Sequence, residues 1–174
     1  MALAATSPRV LADVVPASWA RQALLIAGSA AFIGVAAQVA IPLPFTPVPL
    51  TLQTFAVLLV GASLGSLRGV AATALYAVAG VAGMPWFAEG HSGFSAPSFG
   101  YVIGFIAAAF VVGRIAEHGA TRTVARTAGL MVVGNLVIYS IGATWRKFAL
   151  GGDWATAIAL GVTPFIVGDV IKMA

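Results

Sequence analysis

Residues Ile41–Gly65 read IPLPFTPVPLTLQTFAVLLVGASLG. Four prolines, Pro42, Pro44, Pro47 and Pro49, fall within eight residues. An apolar run follows, with Thr51, Gln53 and Thr54 polar at its start. Proline fixes its own φ and disfavours the α region at the residue before it. The first half of the stretch is therefore not helical, and an extended, semi-rigid loop is expected there. Pro49 stands two residues before Thr51, which puts Thr51 and Gln53 in the first turn of a following helix. The free N–H groups and positive dipole end of that turn face the loop side. Gln53 then has two readings. It offers an amide donor and acceptor to a cavity, or it touches lipid headgroups while Thr51 caps the helix.

The rest of the chain decides where such a helix lives. Of 174 residues, 60% are hydrophobic and 8% charged, and the mean hydropathy is +1.02. Soluble domains carry about 25% charged residues. A surface this poor in charge belongs in lipid. Glycine, at 20 residues, is common enough to let membrane helices approach closely. There is no cysteine, which excludes disulfides, thiolate metal sites and cysteine nucleophiles. The net charge of +4 is dispersed. With no basic cluster and no aromatic platform, nucleic acid is not an expected partner.

A helix needs roughly 20 apolar residues to cross the hydrocarbon core. Six segments approach that length, at about 22–41, 51–67, 69–84, 101–114, 127–145 and within 155–174. Lipid offers no partners to backbone polar groups, and runs such as LIAGSAAFIGVAAQVAI do not alternate as barrel strands do. The expected fold is an all-α integral membrane protein, a compact six-transmembrane-helix bundle with several short or tilted helices. Residues 1–20 carry Arg9, Asp13 and Pro16 with no uninterrupted apolar core. They read as a cytoplasmic tail, and 21–174 as one transmembrane domain.

Arg9, Arg21, Arg68, Arg114, Arg122 and Arg126 all fall on one side if the amino terminus is cytoplasmic. The protein is thus expected in the cell membrane, multi-pass, with that orientation. The proline segment, the loop MPWFAEGHSGFSAPSFGY and the loop RKFALGGDW then face outward. The last segment, TPFIVGDVIKMA, poses a length problem. Either its helix starts near Trp154 and kinks at Pro164, or it starts at Pro164 and is cut short. The second reading is preferred here, because only about 15 Å of helix would follow Pro164.

The Ile41–Gly65 stretch closely resembles the signature of the BioY family, the biotin-specific substrate-capture (S) components of energy-coupling-factor (ECF) transporters. GVAATALYAVAGVAGMPWFAEGHSGFSAPSFGYVIGFIAAAFVVG resembles that family's third helix, long outer loop and fourth helix. GNLVIYSIGATW and GVTPFIVGDVIK resemble its last two helices, so the similarity runs from Leu24 to Lys172. The resemblance implies a six-helix bundle that captures biotin near its outer face. It also implies two kinds of partner, a transmembrane coupling protein and two cytosolic ATPases. The chain has no Gly-rich phosphate loop with Lys-Ser or Lys-Thr, so ATP is not expected to bind it.

Biotin offers a ureido group, an apolar ring, an aliphatic chain and a carboxylate. By resemblance, Asp169 and Lys172 are the family's substrate-contacting pair. They stand three apart on one helix face. Asp169 is expected to accept the ureido N–H groups and Lys172 to pair the carboxylate; the alternative is that the two merely neutralise each other. Asn135 and Tyr139 contact the ureido group or orient Asp169, or else form an interhelical hydrogen bond. Trp86, Phe87 and Tyr101 either wall the ring or belong to an interfacial aromatic belt. Gly90, Gly93 and Gly100 would let the loop fold over a ligand.

The chain departs from the family in two places. Relatives often carry a second basic residue in or near the outer loop, and a Gly-Gly pair before the tyrosine. Here Phe99 precedes Gly100, and no Lys or Arg lies between Arg68 and Arg114. Lys172 is left as the obvious cation, with His91 a weaker second. Ala27–Ala31 and Ala36–Ala40 space small residues four apart on the first helix, a strip for the coupling protein or for packing within the bundle.

Other readings are an S component for another vitamin and a non-transport intramembrane protein. Enzyme chemistry is not expected. The sequence offers no Ser–His–Asp set, no HExxH and no carboxylate cluster, and His91 and His118 fall in opposite loops. No cofactor is expected beyond biotin as the transported ligand.

Overall fold

A computed structural model describes residues 10–14, 18–95, 98–119, 121 and 123–173, with side chains omitted at 167 and 170–173. Seven α-helices appear among them. These are α1 (Trp19–Gln38), α2 (Gln53–Leu64), α3 (Ser66–Val81), α4 (Phe99–Glu117), α5 (Val124–Leu150), α6 (Trp154–Gly161) and α7 (Thr163–Met173). Two 3₁₀ turns, Leu11–Val14 and Ala88–Gly90, and two strands, β1 (Ala40–Leu43) and β2 (Thr46–Thr51), complete the described chain.

The proline segment is not a loop, and the fold is not wholly helical. β1 and β2 pair antiparallel about a two-residue turn at Pro44 and Phe45, with Ala40 opposite Thr51, Ile41 opposite Leu50 and Leu43 opposite Thr46. The register slips between Ile41 and Leu43, where Pro47 and Pro49 lie on the facing strand. Proline's φ suits an extended strand; its missing N–H breaks the ladder locally. Gln53 opens α2 as expected, but Thr51 is the last residue of β2 and not part of the helix's first turn; its Oγ1 accepts from Gln53 N at 3.3 Å.

Local capping sets the other boundaries. Ser18 Oγ accepts from Arg21 N at 3.3 Å and opens α1 at Trp19. Thr123 Oγ1 accepts from Arg126 N at 3.3 Å and opens α5. α5 then runs on to Gly151, whose φ of +72° ends it. Arg146 and Lys147, read from sequence as loop residues, therefore sit on a helix. Asp153 caps α6 by accepting from Thr156 N at 2.8 Å, and its hydrogen bonds with Thr156 hold its carboxyl below the usual carboxylate range.

The last segment follows the reading that was not preferred. Its helix starts at Trp154, breaks at Val162 and resumes at Thr163. The two pieces together span about 30 Å at 1.5 Å per residue, so the length argument for a half-membrane helix falls. Pro164 has no N–H to offer the Leu160 carbonyl, and Phe165 N bonds Val162 O at 3.0 Å instead of reaching Gly161. The two carbonyls left over take side-chain donors from elsewhere. Thr46 Oγ1 donates to Leu160 O at 2.8 Å, and Tyr101 OH donates to Gly161 O at 2.7 Å.

α4 lies at the centre, against α2, α3 and α5. Glycines bring the backbones close. A β-carbon at Gly61 would sit 3.1 Å from Ala109 O, and one at Gly113 would collide with the Ser66 backbone. At that corner Glu117 Oε1 accepts from both Ser66 N and Ser66 Oγ at 2.8 Å, and Arg68 pairs with Asp13 at 2.8 Å. This is the arginine end of the bundle. Arg21, Arg114 and Arg126 lie there too; Arg9 and Arg122 are outside the described residues. The hairpin caps the opposite end.

Outside the core, Leu24, Val35, Leu67, Val78 and Leu136 are more than half exposed. Apolar side chains over this much surface are what lipid, not water, accommodates. α1, α4 and α5 are long and apolar enough to cross a membrane, whereas α2 and α3 are shorter.

Candidate ligand-binding site

At the hairpin end a cavity opens between β2, the start of α2, the α3–α4 loop, α4, α5 and α7. Each wall is positioned by a feature already met. The hairpin supplies Val48 and Leu50, and the first turn of α2 supplies Gln53 and Thr54. The α3–α4 loop supplies Phe87 and His91, α4 supplies Phe99, Tyr101 and Phe105, and the break before α7 turns Phe165 and Asp169 inward.

The polar centre lies between α5 and α7. Tyr139 OH donates to Asp169 Oδ2, and both side chains are buried. The Tyr139 ring stacks on Phe165 with centroids 6.3 Å apart. A phenol pinned in this way holds the carboxylate in one orientation. The second polar element is Gln53, 4% exposed, whose Nε2 donates to Tyr76 OH at 2.7 Å. Tyr76 OH donates in turn to Trp86 O at 3.3 Å. The walls are aromatic and the floor is acidic. Such a site suits a flat apolar ring that carries N–H donors on one edge.

The loop over the cavity is tethered. Gln38, on α1, donates from Nε2 to Trp86 O at 3.1 Å and Phe87 O at 3.2 Å. Trp86 Nε1 donates to Tyr76 O at 3.0 Å. Gly90 and Gly93 adopt φ of +73° and +82°, which only glycine accepts without strain.

The site residues expected from sequence divide accordingly. Asp169, Tyr139, Gln53, Phe87 and Tyr101 line the cavity together. Trp86 does not; it packs into Gly34 of α1 and anchors the loop from behind. Asn135 lies one turn from Tyr139, away from the lining, with Oδ1 buried and no hydrogen-bond partner among the described residues. The Lys172 side chain lies outside the described residues. Ala27 and Ala31 are exposed on α1, and the space where a Gly28 β-carbon would point is open, so this strip is not packed within the bundle. Ala36 is buried in the core and Ala40 opens β1, so that pair forms no helical strip.

Sequence reasoning missed Phe99, Phe105, Phe165 and Leu50. Nothing marks a cavity-facing phenylalanine in a chain where most residues are apolar. The Phe99 departure does have a structural consequence. Its ring lies 6.3 Å from Phe87 and 5.6 Å from Trp145, filling space a glycine would leave open.

Comparisons with known proteins point the same way as this geometry. The chain is 39% identical over 151 residues to the "Biotin transporter BioY2" of Lactococcus lactis subsp. cremoris (strain MG1363), covering 85% of this chain and 81% of that one. It is 39% identical to the "Probable biotin transporter BioY" of Pyrococcus horikoshii, covering 89% and 91% of the two chains. Among solved structures it superposes on the S-component for biotin from an ECF-type ABC transporter with a TM-score of 0.79, at 25% identity over 88% of this chain and 85% of that one. The BioY family's sequence profile matches residues 6–174. Fold, end-on cavity and sequence agree, and the chain belongs to the BioY family.

Proposed function

We propose that this protein is the biotin-capturing S component of an ECF transporter. It crosses the membrane six times, with α6 and α7 acting as one broken span and the shorter α2 and α3 lying tilted within the bundle. Residues 1–20 form a cytoplasmic tail ahead of a single domain at 21–174. The arginine end faces the cytoplasm by the positive-inside rule, so the hairpin end faces out. Biotin enters from that side. Its partners are a transmembrane coupling protein and two cytosolic ATPases, and the exposed Ala27–Ala31 strip is where a partner helix packs. Its work is binding and handing over, not catalysis.

One observation carries the reading: the buried Tyr139–Asp169 pair in an aromatic cavity. A carboxylate at membrane depth is costly unless it serves a ligand or a relay. Asp169 accepts the ureido N–H groups while Tyr139 fixes its orientation. Phe87, Tyr101 and Phe165 sandwich the fused rings, and Gln53 offers its amide to the ureido edge. Lys172, three residues further along α7, supplies a cation to the same site. Asn135 supports α5 behind Tyr139.

The test is binding of labelled biotin by purified wild-type protein and by Asp169→Asn. We expect affinity to fall at least tenfold, about 1.4 kcal/mol. Equal binding by a well-folded variant removes Asp169 from the site. Competition by desthiobiotin, but not by riboflavin or thiamine, separates this reading from an S component for another vitamin.

A further inference from the structure

Arg146 is 5% exposed, yet it lies on an apolar helix. Among the described residues its one hydrogen bond runs from Nη1 to Thr156 O at 3.4 Å, and its Nε is buried with no partner. No described carboxylate lies within 4 Å of it. A guanidinium carries five N–H donors and stays charged, so a site that buries it this poorly paired lacks an anion.

Its position says which anion. Arg146 follows Tyr139 by seven residues, two helical turns, and both belong to the buried face of α5. It therefore stands about 10 Å nearer the hairpin end than Tyr139. Arg146 Cδ and Tyr101 OH press on the same residue: a β-carbon at Gly161 would sit 3.3 Å from the first and 2.6 Å from the second. Tyr101 lines the cavity, so the guanidinium lies one side chain behind the wall. α7 runs the opposite way, and Lys172 stands a turn further from the hairpin end than Asp169. A ligand several bonds longer than its ring, held by the ring at Asp169, cannot also turn its tail to a residue just beyond Asp169 without folding back. Its tail extends outward.

We infer that Arg146 is the counter-charge for the carboxylate of the bound ligand, which lies with its N–H-bearing ring at Asp169 and Tyr139 and its carboxylate toward the hairpin end. This rests on the proposal that the ligand is biotin. It gives the site its second cation, which the α3–α4 loop of this chain does not carry, and it moves the carboxylate away from Lys172. The guanidinium acts across Tyr101 in a region where water screens little.

The test compares biotin with its neutral carboxamide on wild-type protein and on Arg146→Met, which keeps length and apolar packing. Wild type is expected to favour biotin by about tenfold or more, and Arg146→Met to bind both compounds within about twofold of each other. A variant that keeps the wild-type ratio overturns the inference. If Arg146→Met binds neither compound, Lys172→Met decides. A retained preference for biotin supports Arg146, and a lost one returns the carboxylate to Lys172. Wild type that binds both compounds equally overturns this inference alone; wild type that binds neither overturns the proposed function with it.

Discussion

Thr46 Oγ1 donates to the Leu160 carbonyl across a 2.8 Å hydrogen bond, so the hairpin is fastened to the helix break that positions Asp169. The bond exists because Pro164 leaves that carbonyl free. Thr46→Val keeps the shape and removes the donor, leaving a part-buried carbonyl unsatisfied. The expected cost is about 1–3 kcal/mol of stability, with faster biotin release as the hairpin loosens. Thermal melts in detergent and a dissociation rate check both, and Thr46→Ser should restore both.

Tyr139→Phe tests the orienting role of the phenol. The ring stack on Phe165 is kept and the bond to Asp169 is lost. Biotin affinity should fall about tenfold, roughly 1.4 kcal/mol. An unchanged dissociation constant would show that Asp169 needs no orienting group.

Gln38→Ala cuts the tether between α1 and the loop at Trp86 and Phe87. Hydrogen exchange at the amides of Phe87, Gly90 and His91 should accelerate. The amides of α4 should keep their protection, because that helix is held by close contact with α5. Uniform acceleration across both segments would mean that the loop is not separately held.

Gly113→Ala places a methyl group against the Ser66 backbone at the α2–α3 corner. Backbone gives way poorly, so a loss of about 1–3 kcal/mol in stability is expected. Biotin affinity in the folded fraction should not change, since the corner lies at the arginine end. Stability measured by denaturant and affinity measured by titration separate the two effects.

The helices were legible because lipid leaves the backbone no other choice, and the arginines marked one end for the same electrostatic reason that orients membrane proteins. The hairpin was not legible. The φ of Pro42, Pro47 and Pro49 suits a loop and a strand equally, and pairing depends on partners three to eleven residues away. A start near Trp154 and the break at Pro164 were both legible, but proline suits a helix start as well as a break, so the sequence could not choose between them. Arg146 was read as a loop residue because a charge in an apolar run signals an end; here it is buried on α5 toward the hairpin end. Asp169, Tyr139 and Gln53 stood out as polar groups in an apolar setting. The same rule selected Asn135, which lies behind the site, and passed over Phe99, Phe105 and Phe165, which line it.

The most direct measurement is a titration of biotin into the purified protein in detergent, with thiamine as control. Saturable, sub-micromolar binding of biotin and none of thiamine is the result expected. Well-folded protein that binds neither, or binds thiamine equally, would contradict the assignment of this cavity to biotin.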